Sequence, residues 1–191
     1  VLAIGLGTFL ISTLYFTKDI LLAKTTIEKA NKEANIILLD VQTQQEKTLI
    51  DTIKSKGLEV IDNIPIITMR MHSIRGKSVN DIRKDTTIQM RKWMLNREFR
   101  VTYRDVMSDT EELMSGNWTG TVEKGKPISI SVADNVARDA NLKVGDEIVF
   151  NIQGVLMKTI VGSIRKVDWG SMKVNFSIVF PTGVLVKAPK F

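Results

Sequence analysis

The sequence predicts an α+β protein standing on an apolar helix, and three observations predict it. Residues 1–17 carry no charge; residues 18–106 pass from helical periodicity to two-residue alternation; residues 128–186 read mainly as short strands. The architecture that follows is an N-terminal transmembrane and stalk helix, a βαβ-type α/β lobe, and a small, mostly antiparallel β-lobe. Its expected boundaries are a transmembrane helix at 1–17, a stalk helix at 18–35, the α/β lobe at 36–106, a linker at 107–127, the β-lobe at 128–186 and a tail at 187–191.

The first element is VLAIGLGTFLISTLYFT. Seventeen helical residues rise about 26 Å, slightly less than the ~30 Å hydrocarbon core of a bilayer. A signal peptide would need a cationic start and a small-residue cleavage site, and Tyr15, Phe16, Thr17 and Lys18 provide neither. Tyr15 and Phe16 followed by Lys18 suit an interfacial anchor with a snorkelling lysine. A membrane helix is therefore favoured over a signal-peptide core or a buried soluble helix. Gly5 and Gly7 do not form a nucleotide loop, since position 10 is Leu and no strand precedes them. Beyond Lys18 the helical spacing continues through Leu21, Leu22, Ile27, Ala30 and Ala34, with Lys24, Glu28, Lys29, Lys32 and Glu33 between. One helix from Thr8 to about Ala34 is expected, the alternative being two helices that meet near Thr17.

The α/β lobe is expected to open with a short strand at Ile36–Val41. Thr43 and Glu46 have capping-box spacing for a helix with Leu49, Ile50 and Ile53 inward and Gly57 at its end. A strand then places Ile67, Met69 and Met71 on one face and Thr68, Arg70 and His72 on the other. Ser78 and Asp81 cap a helix carrying Ile82, Thr86, Met90 and Trp93, and residues 99–103 alternate as a strand. In the β-lobe, Ile128, Ile130 and Val132 alternate with Ser129 and Ser131. A short helix with Val136, Ala137 and Ala140 follows, with Ser131 and Asp134 at capping-box spacing. The turn at 143–146 launches a strand with Ile148, Phe150 and Ile152 on one face. Gln153 and Gly154 turn it into a third strand reaching Ile164, and Phe176, Ile178 and Phe180 mark a fourth.

Composition excludes several chemistries. The 191 residues include no cysteine and one histidine, so no disulfide, thiolate or His/Cys zinc site can form. His72 lacks a nucleophile elbow nearby and reads as a solvated strand residue. Glu111 with Glu112, and Asp146 with Glu147, are adjacent, and adjacent strand side chains point apart. No catalytic, cofactor-binding or metal-ligating residue is assigned, and no cofactor is expected. The absence of a Walker motif puts any ATPase on another chain. Net charge is +6, with Arg83, Lys84, Arg91, Lys92, Arg97, Arg100 and Arg104 close in sequence. Anionic headgroups are one reading of this cluster; a solvated face, with Arg104 paired to Asp105 or Asp109, is favoured. Interleaved surface aromatics for nucleic acid are lacking. Trp93, Trp118 and Trp169 are expected in the core or between lobes.

Three phrases, REFRVTYRDVMSDTEELMSGNW (97–118), LKVGDEIVFNIQG (142–154) and SIRKVDWGSMKVNFSIVFPTGVL (163–185), resemble the extracytoplasmic domain of FtsX/MacB-type ABC transporter permeases, in particular the YbbP-like branch. In that branch a strand ending in Tyr-Arg-Asp precedes a Gly-Xaa-Trp phrase and then a β-lobe. The resemblance implies a MacB periplasmic-core-like domain following the first transmembrane helix, at a bacterial inner membrane with the domain on the extracytoplasmic side. It implies a noncatalytic part that couples ATP-driven motion to export or extraction of a hydrophobic or amphiphilic cargo: lipid, lipoprotein or peptide. The implied partners are a separate cytoplasmic ABC ATPase, the bilayer, and a permease dimer or self-association, with no nucleic acid. In the family the chain returns to the first lobe after the β-lobe. Met69 and Met71 are accordingly expected on an uncovered face beside an open sheet edge. The alternatives are a membrane-anchored envelope hydrolase and a binding module without a transporter.

Overall fold

A computed structural model describes residues 2–30, 34, 36–85, 87–88, 90–122, 125–171, 173–186 and 188, with the side chains of 24–30 outside the description. It forms two units, Val1–Ile37 and Leu38–Phe191.

The first unit is built on one helix, α1 (Leu2–Ala30), which passes the polarity change at Lys18 without interruption. Its expected end near Ala34 falls among residues 31–35, mostly outside the described set. The segment apolar and long enough to cross a membrane is Leu2–Ala23, 22 residues with mean hydropathy 1.3. It extends beyond the expected end at Thr17, because Ile20, Leu21, Leu22 and Ala23 restore apolar surface after Lys18 and Asp19. At 1.5 Å per residue it measures about 33 Å, enough for a bilayer core.

The run Ile36–Val41, which spans the boundary between the units in sequence, is not a strand. Ile36, Ile37, Leu38 and Leu39 are exposed, and among the described residues the run has no ladder partner, so water takes its backbone groups in place of a neighbouring strand. Helix α2 (Thr43–Ser55) starts one residue earlier than the Thr43/Glu46 pattern implies: the Gln42 backbone N–H donates to Gln45 Oε1 at 3.2 Å. Gly57, at φ +74°, ends it as expected.

The remaining elements are β1 (Ile67–Ile74), β2 (Lys77–Ser78), α3 (Val79–Lys84), α4 (Lys92–Asn96), β3 (Glu98–Tyr103), β4 (Glu111–Gly116), β5 (Ile128–Ala133), α5 (Asp134–Asp139), β6 (Glu147–Ile152), β7 (Val155–Val167) and β8 (Ile178–Phe180). Ser78 caps α3 as its spacing predicts, accepting from the Asp81 backbone N–H. The helix does not continue to Trp93. The Asp85 carboxylate accepts from the backbone N–H and hydroxyl of Thr87, a local turn that competes with helix; Thr86 lies outside the described residues.

Six strands close into a barrel in the order β1–β3–β8–β5–β7–β6 and back to β1. The β1–β3, β8–β5, β7–β6 and β6–β1 pairs are antiparallel, and the β3–β8 and β5–β7 pairs are parallel. Strand β7 carries most of this: Val155–Ile160 pair with β6, Thr159–Arg165 with β5, and Ser163–Val167 with β4, which extends the sheet beyond the ring. The interior is filled by Ile67, Met69, Phe99, Val101, Ile130, Val132, Ile148, Phe150, Val161, Ile178 and Phe180. Phe150 and Phe180 meet edge-to-face with ring centroids 5.8 Å apart.

The chain is thus mixed helix and strand, with an apolar N-terminal helix and a sheet, but the expected two lobes are not separate sheets. Strands β1 and β3, assigned to the α/β lobe, share the barrel with β5–β8. The joins are Thr102↔Val179 and Tyr103↔Phe180 in parallel, and Arg70↔Asn151 through Ile74↔Ile148 antiparallel. Met69 and Met71 are consequently buried, and no uncovered face remains at them. The expected linker contains β4. The last two strands, β7 and β8, do not pair with each other, and β8 lies between β3 and β5.

Candidate functional site: an apolar helix and a buried charged corner

Between Leu2 and Ala23 helix α1 presents its apolar residues outward; Leu2, Ile4, Phe9, Ile11, Leu14 and Ile20 are all more than half exposed. Its threonine hydroxyls between Thr8 and Thr17 donate back to carbonyls one turn earlier: Thr8 to Ile4, Thr13 to Phe9 and Thr17 to Thr13, at 2.7–3.0 Å. A helix that returns its threonine hydroxyls to its own backbone while exposing apolar side chains is suited to lipid. Tyr15 packs edge-on against Phe16, and Lys18 Nζ stands 5.7 Å from the Tyr15 ring centroid, the expected anchor group.

In the barrel unit the polar chemistry gathers where β4 meets β7. Arg165 and Glu111 have fully buried side chains, with Arg165 Nε 3.0 Å from Glu111 Oε1. That approach is a charge contact without a well-aligned N–H···O bond, so both atoms lack a hydrogen-bond partner. The rest of the guanidinium is committed: Nη1 donates to Ser131 O at 2.8 Å and Nη2 to Phe176 O. Beside it Ser163 and Ser131 share a hydroxyl bond of 2.8 Å, so Ser131 is not the helix cap expected for α5, whose N-cap is Ala133. Burial draws the Arg165 pKa below its ordinary value; Glu111 opposes that shift. One side chain therefore ties together β4, β5, β7 and the segment before β8.

The Tyr-Arg-Asp and Gly-Xaa-Trp phrases form the outer wall of this corner. Arg104 pairs with the second Glu111 oxygen, not with Asp105 or Asp109 as expected, and lies 5.9 Å from the Trp118 ring centroid. Trp118 Nε1 donates to Asp105 O at 2.7 Å. Gly116, at φ +77°, has no room for a side chain: a Cβ would stand 2.1 Å from Gly162 O. Asp109 is held instead by Lys173, whose hydrogen bonds at 2.6 and 2.8 Å lower the Asp109 pKa. The motifs that carry the resemblance thus build a joint.

Candidate catalytic groups are dispersed. His72 is exposed on β1, at the irregularity between Met71 and Ser73 where the ladder to β6 passes over it. Glu111 is buried and Glu112 exposed, while Asp146 pairs with Arg75 and Glu147 with Lys158. Among the described residues no three His, Cys, Asp or Glu converge as metal ligands. A shallow groove lined by Thr119, Val122, Lys126, Pro127, Ser129 and Ile160 holds no catalytic set. The tryptophans differ from expectation: Trp93 and Trp169 are 41% and 47% exposed, and Trp118 is half-buried. Sequence reasoning missed the Glu111–Arg165 pair. The signal was present, since Arg165 alternates in phase with buried Val161, Ser163 and Val167.

A membrane-length helix attached to a barrel domain defines a membrane-anchored class of protein, and comparison with known proteins specifies it as similar to an ABC transporter permease. The chain is 24% identical over 188 residues to the ABC transporter permease YbbP of Escherichia coli K12, covering 98% of this chain and 22% of that protein. The resemblance read from the three phrases is therefore borne out and extends across nearly the whole sequence. The chain spans about a fifth of the length of this curated relative. No family model matches the chain, and no solved structure matches it.

Proposed function

We propose that this chain is the first transmembrane helix and an extracytoplasmic domain of an ABC transporter permease, and that it has no catalytic site of its own. The similarity to YbbP over 98% of the chain carries this reading. Helix α1, with its outward apolar surface, and the dispersal of titratable groups around the barrel support it. In this role an ATPase on a separate chain drives the helices, and a rigid barrel conveys the motion to a hydrophobic or amphiphilic cargo outside. Rigidity is what the buried corner supplies: Arg165 fixes four segments at once. A hydrolase would need convergent polar groups in a cleft, so the permease reading is preferred.

The test is biochemical. The full-length protein, isolated in mild detergent from its native membrane, is expected to bring with it a separate chain with vanadate-sensitive ATPase activity. Isolation without any such chain, together with ester or peptide hydrolysis by the purified protein, would overturn the proposal in favour of the anchored enzyme.

A further inference from the structure

A second surface of the barrel unit has a composition that the coupling role does not require. Helices α3 and α4 abut: Arg83 Nη2 donates to Asn96 Oδ1 at 2.5 Å. Within α4, Met94 and Leu95 are buried, which turns Lys92, Trp93 and Asn96 outward. Arg97 lies over the exposed Trp93 ring at 5.3 Å from its centroid. Of the carboxylates nearby, Asp85 pairs with Lys77, Glu98 with Arg70 and Asp139 with Arg91, while Asp81 on α3 accepts from the Ser78 hydroxyl. Arg83 and Lys84 on α3, Lys92 on α4 and Arg97 just after it are exposed and have no carboxylate partner among the described residues. The surface therefore combines four cations outside any ion pair, against the single carboxylate of Asp81, with an exposed tryptophan.

We propose that this α3–α4 surface binds the anionic headgroups of the membrane that α1 crosses. Trp prefers the headgroup level, and clustered Lys and Arg are drawn to anionic lipid. Tethering makes the encounter intramolecular. The 14 residues from Lys24 to Ile37 join the membrane-length segment to the barrel unit, and even fully extended they reach only about 50 Å. The barrel unit is thus confined near one bilayer surface at high effective concentration. A cationic, tryptophan-bearing patch is matched to that surface in charge and polarity. The inference rests on the membrane reading of α1, and its test separates the two.

The whole 191-residue chain would be placed in nanodiscs of phosphatidylcholine alone or mixed equally with phosphatidylglycerol. Because it contains no cysteine, single nitroxide labels can be attached at Lys92→Cys and, separately, at Ile11→Cys. The expected result is that the position-92 label loses accessibility to a water-soluble nickel chelate in the anionic discs only, and that high salt restores it. Adding Arg83→Gln and Arg97→Gln should weaken this association by about five-fold each, the factor that corresponds to about 1 kcal/mol per basic group. Equal accessibility in both lipids would overturn the proposal. So would shielding by inorganic phosphate in phosphatidylcholine discs, which would indicate a free-anion site. The position-11 label reports α1 independently. Shielded from nickel but open to oxygen, it upholds the membrane helix whatever position 92 does; accessible to nickel, it overturns both readings.

Discussion

Glu111→Ala is expected to destabilise the barrel unit by about 3–5 kcal/mol, because it leaves a buried guanidinium without its counter-charge. Both side chains are fully inaccessible, so water cannot compensate. Arg104 would lose its partner in the same step. Replacing both charges, as Glu111→Leu with Arg165→Met, removes the uncompensated charge and is expected to recover much of the loss, since an apolar pair of similar volume often substitutes for a buried ion pair. The check is urea unfolding of the chain in detergent micelles, followed by tryptophan fluorescence. A single-substitution effect below about 1 kcal/mol would show that the corner is hydrated and that Arg165 is not the joint described above.

The second large effect is expected at Phe150. Phe150→Ala removes a fully buried ring that meets Phe180 across the barrel interior, and truncations of this kind cost about 3–5 kcal/mol. Because β1 pairs with β6 and β3 with β8, the loss should be felt by Ile67–Ile74 and Ile128–Ala133 alike. Hydrogen exchange should show amides in both segments losing protection together, in one cooperative transition. Loss confined to β5–β8, with β1 and β3 unaffected, would restore the two-lobe architecture.

Local pattern was legible in this sequence where a segment's own neighbours decide its structure. The unbroken period through Lys18 gave α1. The alternation of Ile148, Phe150 and Ile152 gave β6, and Gln153–Gly154, both at positive φ, gave the hairpin into β7. What stayed hidden was pairing between distant segments. Nothing near Tyr103 indicates that it will lie beside Phe180, so two stretches that read as separate lobes closed into one barrel. Strand β4 was hidden for another reason: Glu111 and Glu112 look like linker residues until Arg165 provides an inward partner for the first. Ile36–Val41 erred in the opposite direction, an apolar run with strand composition and nothing to pair with. The expected exposure of Met69 and Met71 followed from the two-lobe reading, and barrel closure removes it.

The account depends most on α1 crossing a bilayer with the barrel unit on the extracytoplasmic side. The direct measurement is labelling of single-cysteine variants of the chain in bacterial membranes with a membrane-impermeant maleimide. Gln153→Cys sits at an exposed hairpin turn, and Ile11→Cys at the middle of the apolar segment. In intact spheroplasts the account predicts rapid labelling at position 153 and none at position 11 until the protein is unfolded in detergent. Labelling at position 11 from water, or protection of position 153 until the membrane is broken, would contradict it.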